Sequence, residues 1–160
     1  MTIDILSVKI DIQYIREHVD EIDWDYACSV CVFSEDILRE FKNKLNWIGV
    51  SYHQKLSEKF IRDFQNKVDW DNISFCQVLS EEFIREFQNK VSWSNISSKQ
   101  NLSEEFIKEF KDKVNWVDIS THQKLCKDFV MEFRKKVNLE CIIKYQNFNN
   151  VFIIELKNRL

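Results

Sequence analysis

The chain of 160 residues contains no proline and a single glycine, Gly49. All-β proteins draw their tight turns from Gly and Pro, so this composition excludes them. One glycine also excludes Gly-rich phosphate loops, which need several positions where backbone can approach an anion. No apolar run of about 18 residues is present, so no segment reads as membrane-spanning and no membrane partner is expected. Charge of one sign is lacking as well. The 23 basic and 26 acidic residues leave a net charge of −3 and no basic footprint for direct nucleic-acid binding. Met1-Thr2-Ile3-Asp4-Ile5-Leu6 has no basic leader and an acid where a signal core would run. An intracellular, reducing location is therefore expected. The five cysteines, an odd number, fit free thiols better than a disulfide framework.

What is present is ample apolar surface, 44% of residues with 14% aromatic, and this excludes disorder. It is arranged in a repeat. Trp24, Trp47, Trp70, Trp93 and Trp116 are each 23 residues apart, and Leu139 takes the next position in phase. Phe41, Phe64, Phe87, Phe110 and Phe133 form a second column, flanked by His18 and Leu156. Gln54, Gln77, Gln100, Gln123 and Gln146 form a third, with Cys31 at its head. Repeats begin at Ile10, Phe33, Leu56, Leu79, Leu102 and Leu125, and a half repeat runs from Phe148 to Leu160.

In the repeat 79–101, Leu79, Phe83, Ile84, Phe87 and Val91 fall on one arc of a helical wheel, which predicts an amphipathic helix. Ser80 serves as its N-cap, and Glu81 and Glu82 suit the positive end of its dipole. The residue before each Trp-phase position is Asp23, Asn46, Asp69, Ser92, Asn115 or Asn138, a second column of N-caps. Trp93, Ile96, Ser97 and Gln100 share a face, which predicts a shorter helix of about two turns. A 3₁₀ form fits such a short segment equally. Gln100 reads as a partly buried amide bonding backbone in the turn to the next repeat. Each repeat is too small to bury its own apolar face, so stacking must do it. The expected fold is a thin all-α solenoid of about six long-helix/short-helix repeats. It forms one repeat domain over 1–160: an N-terminal cap and first repeat (1–32), a repeat array (33–147) and a C-terminal capping helix (148–160).

On the long helix a basic column (Arg16, Arg39, Arg62, Arg85, Lys108) precedes an acidic one (Glu17, Glu40, Asp63, Glu86, Glu109, Glu132), so adjacent repeats can pair them as ladders. The outward face of the short helix varies instead. One column reads Ser29, Tyr52, Phe75, Ser98, Thr121 and Lys144, and its neighbour reads Val30, His53, Cys76, Lys99, His122 and Tyr145. Variable side chains on a constant scaffold make recognition surfaces in repeat proteins, although drift on a solvated face gives the same pattern. Tyr52, His53, Phe75, Cys76, Ser98, Lys99, Thr121 and His122 are the candidate partner-binding residues.

Other constellations only resemble chemistry. Cys28-Ser29-Val30-Cys31 has no second ligand pair for a metal and no strand-to-helix context for redox work. His53, Cys76 and His122 share a column, but neighbouring repeats lie too far apart to share an ion. Cys126 stands in a capping-Ser column, and neither it nor Cys141 adjoins an activating His. Three Asn-x-Ser acceptor patterns, at Asn72, Asn95 and Asn101, fall out of the repeat itself. No catalytic residue, metal site or cofactor is expected.

The string Leu-Ser-Glu-Glu-Phe-Ile-Arg-Glu-Phe-Gln-Asn-Lys-Val-x-Trp-x-x-Ile-Ser, from Leu79 onward, resembles arrays of short repeats of undefined function in large DNA viruses, mimivirus relatives especially. The resemblance covers residues 33–137 and implies a viral or virus-derived intracellular protein, in the host cytoplasm, acting on host factors. The resulting expectation is a non-enzymatic scaffold, a monomer or weak oligomer, that binds a protein through its variable face. Two alternatives stand beside it. One is a small acidic inhibitor of a nucleic-acid-handling host defence enzyme, and the other is a self-assembling structural protein.

Overall fold

In the computed structural model the described residues are 12–159, so the first repeat's start at Ile10 and the final Leu160 lie outside them. Among the described residues there are thirteen α-helices and no strand. The fold is an α-solenoid whose helices follow the 23-residue period. The first-segment helices are α1 (Ile12–Glu17), α3 (Glu35–Glu40), α5 (Glu58–Asp63), α7 (Glu81–Glu86), α9 (Glu104–Glu109), α11 (Lys127–Glu132) and α13 (Asn150–Asn158). The helices that open on the Trp column are α2 (Trp24–Val30), α4 (Trp47–His53), α6 (Trp70–Cys76), α8 (Trp93–Lys99), α10 (Trp116–His122) and α12 (Leu139–Tyr145). The chain divides into two compact bodies, Met1–Gln77 and Val78–Leu160. In the first, α2 packs on α4 and α4 on α6; in the second, α8 packs on α10 and α10 on α12.

The second segment is α-helical over seven residues, which resolves the choice between α and 3₁₀. The first segment differs from the single long helix expected over 79–91. Its α-helical part is six residues, and a hydrogen-bonded turn over 87–90 carries the chain on. In the equivalent segment of α9 the chain then leaves the helical path by an exchange of partners at Asn115. A continuing helix would give the Lys111 carbonyl to the Asn115 amide. Instead the Trp116 indole N–H donates to the Lys111 carbonyl at 2.9 Å. The Asn115 N–H donates to Ser97 Oγ, one repeat back, at 2.9 Å. The same exchange joins Trp70 to the Gln65 carbonyl and the Asp69 N–H to Ser51 Oγ.

Ser51, Ser97 and Ser120 are fully buried, and each hydroxyl also donates to the carbonyl of the residue four earlier, at 2.6 Å. The serines therefore do more than permit close packing: each links its own helix to the next repeat. The glutamines reach the other way. Gln123 Oε1 accepts from the Leu102 N–H at 3.1 Å, and its Nε2 donates to the Ser97 and Gln100 carbonyls, both at 2.8 Å. Gln54 and Gln77 make the same three bonds in the first body. These amides are buried rather than partly buried, and they clamp the turn from the preceding repeat rather than the turn to the next one. Satisfying three backbone groups at once is what lets a polar side chain occupy the interior.

Ser57, Ser80 and Ser103 cap the first-segment helices as expected, and the Cys126 thiol accepts from the Phe129 N–H at 3.3 Å in the same role. The acidic first turn has a further use. Glu35 and Glu81 each accept the backbone N–H of the next repeat's capping serine at 2.6 Å. In the Trp-phase column, Asp23, Asn46, Asp69, Asn115 and Asn138 cap their helices, whereas Ser92 makes no side-chain cap bond to α8.

The core runs between the two helix layers of each body. Phe60, Ile61 and Ile73 are fully buried in the first body, and Phe83, Ile84, Phe106, Ile107 and Ile119 in the second. Within each body an indole lies over phenylalanines of the following repeat: Trp93 is 4.9 Å from Phe110 and 6.2 Å from Phe106, and Trp47 meets Phe64 and Phe60 at 4.9 and 6.2 Å. The expected ladder is formed over this core by Arg16–Glu40, Arg39–Asp63, Arg85–Glu109 and Lys108–Glu132, all at 2.7–2.8 Å. Arg39 and Arg85 also sit 4.9 and 5.1 Å from the centres of the Phe60 and Phe106 rings.

Candidate interaction surface

The Trp-phase helices turn Trp, Ile, Ser and Gln inward, which leaves the first, second, fifth and sixth positions after each Trp-phase residue facing out. In the first body these positions on α2, α4 and α6 hold four of the candidates. Tyr52 is 49% exposed and Phe75 42% exposed. His53 is exposed with its ring edge-on to Tyr52 at 4.7 Å, and Cys76 is half-buried. In the second body Lys99 and His122 are exposed, while Ser98 and Thr121 are half-buried. Their hydroxyls are spent on their own helices. Thr121 Oγ1 donates to the Val117 carbonyl at 2.7 Å, and Ser98 Oγ to the Ser94 and Asn95 carbonyls at 3.0 and 3.3 Å. Tyr52 and Phe75 thus share one column on packed helices, whereas the Ser98 and Thr121 hydroxyls are already engaged.

One contact joins the outward positions of α8 and α10. Ser94 Oγ, first after Trp93, donates to Asp118 Oδ2, second after Trp116, at 3.1 Å. The sequence reading omitted the first and second positions. Ile48, one turn before Tyr52, is 62% exposed, and Tyr26 and Val117 are exposed on the same columns. The signal that could have found them is repeat-to-repeat variation after the Trp, which reads Asp25, Ile48 and Asp71 in the first body.

Charge divides the two faces. The outward positions of α2, α4 and α6 include Asp25 and Asp71 and no Lys or Arg. Those of α8, α10 and α12 include Asp118 and Glu140 but also Lys99 and Lys144, the latter held 4.9 Å over the Tyr145 ring.

Burial shapes the titration of three cysteines. Burial pushes the Cys28 thiol up to about 11, with Asp25 and Cys31 adding to it, and burial also raises Cys31 and Cys76. A raised thiol is a poorer nucleophile. Among the described residues no group of three His, Cys, Asp or Glu side chains is placed to hold a metal. Cys28 and Cys31 contribute through their carbonyls, which both accept from Gln54 Nε2 at 2.6 and 2.7 Å. His18 is half-buried, stacked on Tyr14 at 4.2 Å, with Nδ1 3.0 Å from the Tyr14 carbonyl. Ser74 and Ser97 of two Asn-x-Ser patterns are fully buried inside α6 and α8. No described helix is long and apolar enough to cross a membrane. Comparison of the chain with protein-family models, curated proteins and solved structures finds no match.

Proposed function

We propose that the protein is a non-enzymatic repeat scaffold that binds a protein partner through the outward face of its Trp-phase helices, as a viral protein acting on a host factor in the infected cell. The observation that carries this reading is the pair Tyr52 and Phe75. Both are large aromatics, about half exposed, and they stand in one column on packed helices whose inward faces are fully occupied. Aromatic side chains of this kind are enriched at the centres of protein interfaces. The architecture does not need them, since Ser29, Ser98 and Thr121 fill the same column in other repeats.

The phosphate-decoy reading draws less support. The carboxylates it would present, Glu40, Asp63, Glu109 and Glu132, are each held by a cation of the preceding repeat. Affinity capture from host lysate, with wild type and Tyr52→Ala/Phe75→Ala side by side, tests the proposal. The double variant is expected to lose the proteins that wild type retains. An identical captured set would overturn the assignment to this face.

A further inference from the structure

The net charge of −3 averages over one edge of the second body that is strongly basic. Residues 88–90, 111–113, 134–136 and 157–159 occupy the same three columns of successive repeats. They read Gln-Asn-Lys, Lys-Asp-Lys, Arg-Lys-Lys and Lys-Asn-Arg, which amounts to eight cations and one carboxylate. The first three are the turns that follow α7, α9 and α11, and the fourth closes α13. Side chains bond each segment to its neighbour. Lys113 Nζ donates to Gln88 Oε1 at 2.7 Å, Lys136 Nζ to Asp112 Oδ1 at 2.7 Å, and Arg134 Nε to the Arg159 carbonyl at 3.1 Å. The four segments therefore lie side by side as one strip.

The fold uses only part of this charge. Lysines of the third column have a structural task, since Lys113 and Lys136 each hold Nζ 5.8 Å from the centre of a Trp93 or Trp116 ring. The first two columns need no charge, because Gln and Asn fill them at 65–66 and 88–89. Lys111, Arg134, Lys135 and Lys157 are therefore surplus to the architecture. Among the described residues none of the four forms an ion pair, and Arg134 bonds only to the neutral carbonyls of Met131 and Arg159. The carboxylates that precede these turns are engaged elsewhere: Glu109 by Arg85, Glu132 by Lys108 and Glu155 by Arg159. The surplus charge is thus not neutralised in place.

Composition names the class of ligand. The strip has no apolar or aromatic side chain, whereas protein interfaces are built around such anchors and are depleted in lysine. Lysine, arginine and the amides are side chains that contact phosphate oxygens. Unpaired bases would need aromatic platforms to stack on, and the strip offers none. We propose that this edge binds the phosphodiester backbone of double-stranded nucleic acid without reading its sequence. The proposal goes beyond the protein-binding reading of the Trp-phase face and does not depend on it.

Anisotropy titration of the full chain with labelled DNA and RNA duplexes, in two unrelated sequences each, tests it. The two sequences should bind alike, and binding of either kind of duplex supports the proposal. Affinity should fall linearly with salt on logarithmic axes, because every phosphate contact releases counterions. Lys135→Gln/Lys157→Gln should melt with wild type, both side chains being exposed and outside any ion pair. It should bind about tenfold more weakly and flatten the salt slope by about two. Lys55→Gln/Lys124→Gln removes the same charge from exposed positions outside the strip and should leave the slope unchanged. Should the first pair melt lower, Lys111→Gln gives the same reading with a slope change of about one.

Absence of duplex binding at low salt, or equal weakening by the two double variants, would overturn the proposal. A single strand that binds more tightly than its duplex would refute the backbone-only mode. Polyglutamate of matched charge binding more tightly than either would reassign the edge to an acidic protein segment and refute the nucleic-acid ligand.

Discussion

At the scale of single residues, the most consequential side chains are polar. Gln123 satisfies one N–H and two carbonyls in a buried turn, and leucine at that position can satisfy none of them. Each orphaned buried group costs about 1–3 kcal/mol, so Gln123→Leu should lose roughly 3 kcal/mol or more in urea denaturation. Gln146 is half-buried and holds the Leu125 N–H at 3.5 Å, so Gln146→Leu should cost clearly less. The inequality is the test, since a purely hydrophobic account would favour leucine at both. Gly49→Ala should stabilise by about 0.5–1 kcal/mol in the same assay. Thiol reactivity sorts by burial. At pH 8 iodoacetamide should label exposed Cys126 quickly and spare Cys28, whose thiol stays protonated up to about 11, as peptide mass mapping would show.

At the scale of helices, the ladder gives a pH signature. Arg16 donates to Glu40 and lowers its pKa below the ordinary 4.5, and Lys136 lowers Asp112 below 3.8. The folded state therefore favours the ionised carboxylates. Their contribution is complete above the unfolded values and is lost as pH falls through the lower folded ones. Lys108 and Arg85 are raised by Glu132 and Glu109, so their share persists to alkaline pH and goes only as pH rises past their ordinary, strongly basic values. Melting followed by circular dichroism should hold level from about pH 6 to 9 and fall below about 4.5, with Glu40→Gln blunting the fall. All of these groups are solvent-exposed, so the effect should be small and should shrink in salt.

Much at this scale could be read from the chain alone. The Trp, Phe and Ser columns announce helix pairs and their caps, because burial and capping depend on residue type and spacing. The exit from the segment of α9 at Asn115 could not be read, because it depends on a buried serine of one repeat, Ser97, taking an amide of the next. The direction in which Gln123 reaches was equally hidden, since an amide offers the same donors to either side. Of the outward face, the columns of Tyr52 and His53 were legible through variation. Ile48 and Gly49 lie in the two columns just after the Trp, which vary between repeats in the same way and carry the same signal.

At the scale of the whole molecule, the bonds that join repeats span 18 to 26 residues, so long-range order is assembled from near neighbours in sequence. Such topologies fold quickly, and their stability is distributed repeat by repeat. Hydrogen exchange should follow that distribution. The amides of Leu56, Leu79 and Leu102, each held by a buried glutamine, should exchange slowest, Leu125 faster, and those of α13 faster still. Uniform protection along the chain would contradict the repeat-wise account.

The opposed reach of Ser and Gln has a consequence for how such a chain can change over generations. Within each body serine couples forward and glutamine backward at fixed offsets, so a repeat such as 102–124 carries both halves of the same joint. Cys31 and Ile143 break those two columns at opposite ends of the array. A gene of this design can gain or lose one whole repeat by unequal exchange between its own copies, and the new neighbours will still fit. Gain or loss of any other length leaves a joint without its counterpart. Heritable variation is thereby steered toward the number of repeats and toward the outward positions, where a new partner can be met without rebuilding the stack.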